Sequence, residues 1–259
     1  ILSAFLVNDV VCLFMTPLVL RVVARHGSTQ MQFLLALATA SNVGSTATIT
    51  GNPQNILIGS ISSIGYRDFL FHLGPVALAG LFVDWAVIAL LCRKALAEKR
   101  EPEAAPARSD EGASPLAAVL VASAIVVAFL AGAPPALAAA AGAAVLFVAR
   151  SRRIRAIYAE IDGSLLLLFV SLFLVVGALE DTGIARTLLG AAERLDLHHL
   201  GVFTAAVVVL SNVVSNVPAV MLLKDVVPEL GRPHARWLAL AMASTLAGNL
   251  TITGSIANL

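Results

Sequence analysis

The chain has 259 residues, of which 59% are hydrophobic and 13% charged, with a formal net charge of +1 and a mean hydropathy of +0.90. Soluble domains carry about 25% charged residues, so this composition excludes a water-soluble core and makes lipid the solvent for most side chains. Near-neutrality also excludes a nucleic-acid partner, which needs a dense basic face; membrane lipid is the expected partner.

The chain opens inside an apolar stretch and ends at Leu259 in a polar, glycine-containing segment. It is expected to be a fragment truncated at both ends. Ile1 to Leu20 has no basic start and is interrupted by Asn8 and Asp9, so it is not a signal peptide. Gly27 to Tyr66 carries no charge yet is rich in Ser, Thr, Asn and Gly, and predicts a broken span over Met31–Tyr66. Leu73 to Cys92 is an apolar run of spanning length, interrupted by Asp84. Arg93 to Ser114 mixes Glu, Lys, Arg, Ala and Pro and reads as a linker. The uncharged run Leu116–Ala149 is too long for one span. Gly132-Ala133-Pro134-Pro135 divides it into Leu116–Ala131 and Ala136–Ala149. Arg150 to Arg155 is a basic cluster suited to a loop at lipid headgroups. Ser164–Leu179 is a further span, and the amphipathic stretch Ile184–Leu195 is expected in the interface. Leu200–Leu223 is apolar at both ends but holds Ser211, Asn212, Ser215, Asn216 and Pro218, and predicts a hairpin. Cys12 and Cys92 form no disulfide or metal pattern and read as small packing residues. The five histidines fall in predicted loops or helix ends, and the sequence assigns them no role.

An internal duplication organises these elements. Leu35 to Gly51 reappears as Leu238 to Gly254, a shift of 203, with Asn55 falling on Asn258. Upstream, Asn8 pairs with Asn216 at a shift of 208, or alternatively with Asn212. Small-residue runs are common in membrane helices, so the polar Thr-Ile-Thr-Gly with Asn four residues later carries the argument. Five crossings separate the Arg21–Gln30 loop from the Lys224–Arg236 loop, which makes the repeats inverted. Eleven of the seventeen Lys and Arg residues fall on the side of Arg93–Ser114 and Arg150–Arg155, which the positive-inside rule makes cytoplasmic. The expected architecture is an all-α polytopic protein of the cytoplasmic (inner) membrane with two inverted repeats, re-entrant hairpins and broken transmembrane helices. Residues 1–92 form the first repeat, 93–114 a cytoplasmic linker and 115–259 the second repeat.

Asn42 to Pro53 is a poor continuous helix, with two Gly, β-branched residues and Pro. Unwound backbone at membrane depth is tolerated only where it is buried in protein or lines a cavity. One half-helix is expected to end near Asn42 and another to start near Asn55, presenting free N–H groups to an anion. Gly248 to Gly254 repeats the arrangement. Inversion about an axis in the membrane brings such interruptions to similar depth. Asn8, Asp9, Asn42, Thr46, Thr48, Asn55, Asn216, Asn249 and Thr251 are therefore expected to converge near the midplane. The wider candidate set adds Gly44, Ser45, Thr50, Gly51, Asn52, Pro53, Ser215, Gly248, Thr253 and Asn258. A coupling sodium is expected at Asn8, Asn42, Asn216 and Asn249. Asp9 supplies the formal negative charge and is expected to bind a cation or proton; Asp84 is balanced between packing and ion coupling. No HExxH motif, Ser/His pair or buried carboxylate pair is present, so an enzyme is not expected. The glycines lack the Lys of a phosphate loop.

These motifs resemble the ion transporter superfamily, which includes divalent-anion/sodium symporters, citrate transporters, arsenite efflux permeases and one branch of sodium/proton antiporters. The resemblance rests on Asn8-Asp9 with Thr16-Pro17, on Ser41 to Ser45 through Gly51-Asn52-Pro53-Gln54-Asn55, and on Ser215-Asn216-Val217-Pro218. It implies a midplane site between hairpins and broken helices, and a homodimer with elevator-like motion. The implied function is secondary active transport of an inorganic or small organic anion, such as an oxyanion, coupled to Na⁺ or H⁺ and needing no other cofactor. Arsenite efflux and sodium/proton antiport are the alternatives. The dicarboxylate symporters carry Ser-Asn-Thr at both hairpin tips. Here the tips read Val7-Asn8-Asp9 and Ser215-Asn216-Val217, so recognition hydroxyls are missing at both tips and Ser215 alone remains.

Overall fold

The computed structural model describes residues 1–26, 30–93, 115–149 and 195–251, with isolated residues between 163 and 190. The expected span 164–179, the interfacial stretch Ile184–Leu195, the linker beyond Arg93, the basic cluster at Arg150–Arg155 and the candidates Thr253 and Asn258 lie wholly or largely outside these residues. The described residues are helical and contain no strand.

Two compact units are present. In the unit Ser109–Gly183, α6 (Pro115–Leu130) packs against α7 (Pro135–Ala149), with the break at Ala131–Pro134. The sequence places that break correctly because Pro134 and Pro135 lack backbone donors and open a new helix. The other unit, Ile1–Arg108 with Ile184–Leu259, contains α1 (Leu2–Phe5), α2 (Asn8–His26), α3 (Gln30–Ser45), α4 (Pro53–Ile61) and α5 (Tyr66–Leu91). It is completed by α8 (Leu200–Val214), α9 (Asn216–Leu223), α10 (Val226–Glu229) and α11 (Pro233–Ala247). The amphipathic logic of a soluble protein is reversed here. Large apolar side chains such as Phe14, Phe71, Phe82 and Trp85 are exposed, whereas Asn42, Ser45, Thr46, Thr48, Asn52 and Asn55 are buried. An apolar exterior around a polar interior suits a lipid solvent.

Among the described helices, α5 alone is long and apolar enough to cross a membrane. It begins at Tyr66, well before the predicted Leu73. Gly74 and Pro75 do not end it, and Arg67, Asp68 and His72 extend its first two turns as a polar collar. Proline is tolerated there because only one backbone bond is lost in a helix fixed by packing along α3. In α2, Pro17 likewise sits inside the helix, and the preceding Thr16 Oγ1 donates back to Cys12 O at 2.7 Å. Cys12 and Cys92 are free thiols, as expected.

The stretches related by these shifts share local backbone geometry. At the shift of 203, α3 and α11 end within one residue of equivalence, at Ser45 and Ala247. Their last turns tighten identically. Thr46 N–H donates to Val43 O (3.2 Å) and Ala47 N–H to Gly44 O (3.3 Å), while Asn249 N–H donates to Leu246 O (3.1 Å) and Leu250 N–H to Ala247 O (3.0 Å). At the shift of 208, Asn8 and Asn216 each occupy the first position of a helix that follows a break. The first-turn bonds Val11 N–H to Val7 O and Ala219 N–H to Ser215 O correspond, both at 3.1 Å. Asn212 lies inside α8 instead, so Asn216 is the structural counterpart of Asn8.

Candidate functional site

The helix that begins at Gln30 cannot continue past Ser45, because the next ten residues include three Thr, two Asn, a Gly and a Pro. The chain passes through a turn and a short 3₁₀ segment, Ile49–Gly51, before α4 starts. Asn52 closes this break on three sides. Its Oδ1 accepts from Asn55 N–H (2.9 Å), capping α4 beside Pro53 at the first helical position. Its Nδ2 donates to Ser45 Oγ (3.0 Å) and to Thr245 Oγ1 (3.1 Å) of α11. Gln54 Nε2 reaches the same Thr245 hydroxyl at 3.2 Å. Asn55 Nδ2 donates to the carbonyls of Ser45 (3.2 Å) and Thr48 (2.9 Å), so the last carbonyl of α3 is satisfied from the second half-helix. The predicted free N–H groups at the second half-helix therefore need a correction. That helix starts at Pro53, not near Asn55, and the Asn55 N–H is already held by Asn52.

A second set of bonds joins the two ends of the chain. Asn8 Nδ2 donates to Asn42 Oδ1 (2.8 Å), Asn42 Nδ2 to Asn249 Oδ1 (2.9 Å), and Asn249 Nδ2 to Thr39 O (3.2 Å). Ser41 Oγ donates to Asn8 O at 3.1 Å. All donors in this relay point the same way, and a carboxamide that donates through nitrogen carries more negative charge on its oxygen. The head of the relay, Asn8 Oδ1, is buried without a partner, as is Asn55 Oδ1. Buried carbonyl oxygens left open are costly and mark places for a water, an ion or a solute.

The remaining candidates fall around these two sets. Thr48 Oγ1 donates to Ala4 O of α1 and lies 3.4 Å from Thr50 Oγ1, which contacts Tyr66 Oη at 2.9 Å. Thr46 is fully buried and leans toward Asn42 O (3.5 Å). Asn216 is buried at the start of α9, a helix that packs on α4 and α11. Ser215 holds φ 75° and ψ 163° between α8 and α9. Asp9 is half-buried in the first turn of α2, and Gly248 ends α11. Thr251 is exposed, with its hydroxyl on Asn212 Oδ1 (3.0 Å) rather than among the buried amides. Sequence reasoning missed Thr39, Thr245, Gln54, Tyr66 and Asn212 as contributors. Thr245 was detectable, since it is the equivalent of Asn42 at the shift of 203.

Gly51 has no room for a side chain. A Cβ there would lie 2.0 Å from Ser45 O, in a segment where the backbone folds directly onto the end of α3. Gly51→Ala is expected to cost about 1–3 kcal/mol through overpacking and to lower the melting temperature in detergent by about 5 °C. An unchanged melting curve would show that the break is not packed in this way.

The chain is similar in sequence to several known proteins. An uncharacterised transporter of Mycobacterium tuberculosis is 32% identical over 277 residues, covering 99% of this chain and 64% of the relative. The chain thus spans just under two thirds of that protein. A silicon efflux transporter of Oryza sativa is 29% identical, covering 99% of this chain and 67% of the relative. The inner membrane protein YbiR of Escherichia coli is 29% identical, covering 100% and 65%. The citrate transporter family matches residues 1–247, which run from α1 through the first polar break to the end of α11 and stop before Gly248. The chain belongs to the citrate transporter family, a family of transporters and not of enzymes.

Proposed function

We propose that this chain forms the core of a secondary active transporter that moves a small inorganic or organic anion across the cytoplasmic membrane, coupled to Na⁺ or H⁺. The observation that carries the reading is the buried amide relay from Asn8 through Asn42 to Asn249, headed by the open Asn8 Oδ1. Neutral carbonyl and hydroxyl oxygens fit a sodium ion or an oxygen-rich solute, and unwound helix ends are where transporters with inverted repeats bind both. The matching breaks at shifts of 203 and 208 support two repeats, and inversion follows from the odd number of crossings predicted between them. The two helix–break–helix pairs, α1–α2 and α8–α9, are then re-entrant hairpins. A homodimer with elevator-like motion completes this reading.

One observation favours a second substrate class. The side chains joined in the two hydrogen-bonded sets are all uncharged. Such a site suits an undissociated oxyacid, as arsenite and silicic acid are near neutral pH, and efflux of that class fits the silicon efflux relative. The full-length protein in proteoliposomes separates these readings when sulfate, dicarboxylates, arsenite, silicic acid and Na⁺/H⁺ exchange are assayed in parallel. Movement of one oxyanion that follows an imposed Na⁺ or proton gradient is expected. Gradient-independent leakage of every solute would overturn secondary transport.

A further inference from the structure

The polar node is not the only place where distant segments converge on one point. Asp68 and His72 lie four residues apart on α5 and so share one face. His234, the second residue of α11, approaches the same carboxylate from 166 residues away. His234 Nε2 stands 2.6 Å from Asp68 Oδ2, and His72 Nδ1 stands 3.0 Å from Asp68 Oδ1. His72 Nδ1 also lies 2.9 Å from Asp68 O. The two imidazole rings are 5.2 Å apart at 72° to one another. One ligand atom from each of the three residues lies within 4.8 Å of the others, and all three side chains are about half exposed.

We propose that Asp68, His72 and His234 form a binding site for a divalent transition-metal ion of the zinc and cobalt class. A tetrahedral ion with bonds of about 2.0–2.2 Å spaces its ligand atoms about 3.4 Å apart, so the three donors need to move by less than about 1.5 Å. Two imidazoles and one carboxylate match the nitrogen and oxygen preferences of zinc, cobalt and nickel. Calcium and magnesium, which demand more oxygen ligands, are disfavoured. Three protein ligands leave the fourth position to water, and half-exposure leaves an open path of entry. The imidazole lone pairs are what bind the ion, so metal and protons compete for the same nitrogens. The ion ties the start of α5 to the start of α11. Thr245, which Asn52 and Gln54 reach, lies eleven residues further along α11, about 17 Å from His234 at the helical rise, so the metal site is separate from the polar break.

Cobalt is the probe, because its visible absorption reports tetrahedral coordination. Titration of the purified full-length protein in detergent should saturate at one cobalt per chain, and zinc should displace it. Asp68→Asn and His234→Ala should each weaken cobalt binding at least about 10-fold, in line with the sensitivity of metal sites to losses in their ligand shell. His199→Ala, at an exposed histidine before α8, should bind as wild type does. A wild-type protein without a saturable cobalt spectrum overturns the proposal. So do Asp68→Asn and His234→Ala variants that keep wild-type affinity, or a loss of binding in His199→Ala. None of these outcomes depends on which solute the protein transports.

Discussion

Asn42→Ala should reduce transport by the full-length protein at least about 100-fold, which corresponds to about 2.7 kcal/mol. Asn42 is the middle member of the relay, accepting from Asn8 and donating to Asn249. Alanine leaves the Asn8 Nδ2 donor and the Asn249 Oδ1 acceptor without that partner. Each buried group so abandoned costs about 1–3 kcal/mol, and the melting temperature should fall by about 5–10 °C. The Ser41–Asn8 and Asn249–Thr39 bonds remain, so the protein should still insert. Asn42→Asp keeps an acceptor toward Asn8 but loses the donor toward Asn249, and should fall between wild type and alanine. Wild-type transport by Asn42→Ala would detach the relay from the mechanism.

Asp9→Asn should leave expression and insertion intact and remove the dependence of transport on an imposed Na⁺ or proton gradient. The substitution preserves shape and deletes the formal charge adjacent to the relay head, in the first turn of α2. A carboxylate there interacts favourably with the helix N-terminus by less than about 1 kcal/mol at an exposed site, so the folded state tolerates its loss. Gradient-driven flux in liposomes decides the matter. Unchanged flux, with unchanged Na⁺ and pH dependence, would remove Asp9 from ion coupling.

Much of this arrangement was legible because breaks in membrane helices are written in residue type. Gly, Pro and β-branched residues between Asn42 and Asn55 cannot sustain a helix, and the structure ends α3 at Ser45 and restarts at Pro53. The exact restart was misread because Asn52 as a cap outweighs Asn55 as a start; an Asn-Pro pair sets both the side-chain acceptor and the fixed φ. The beginning of α5 was placed late because Arg67, Asp68 and His72 are polar and lie before the apolar run, whereas packing on α3 carries the helix through them. Thr245, and the partners of Asn212, escaped notice for a different reason. A lone hydroxyl or amide in an Ala/Leu-rich helix looks like packing until tertiary structure shows whom it meets, here Asn52 and Gln54 in one case and Ala247 O and Thr251 in the other. His72 and His234 carry no sequence signal at all, being 162 positions apart and brought together by the fold alone.

The bond between Asn42 and Asn249 spans 207 positions, and that between Asn52 and Thr245 spans 193. A ribosome adding about 5–20 residues per second needs roughly 10–40 s to make the later partner after the earlier one. During that interval the amides of Asn42, Asn52 and Gln54 have no second half to meet, in a membrane that offers them nothing in exchange. The first half therefore completes these bonds only once α11 and Asn249 have been made.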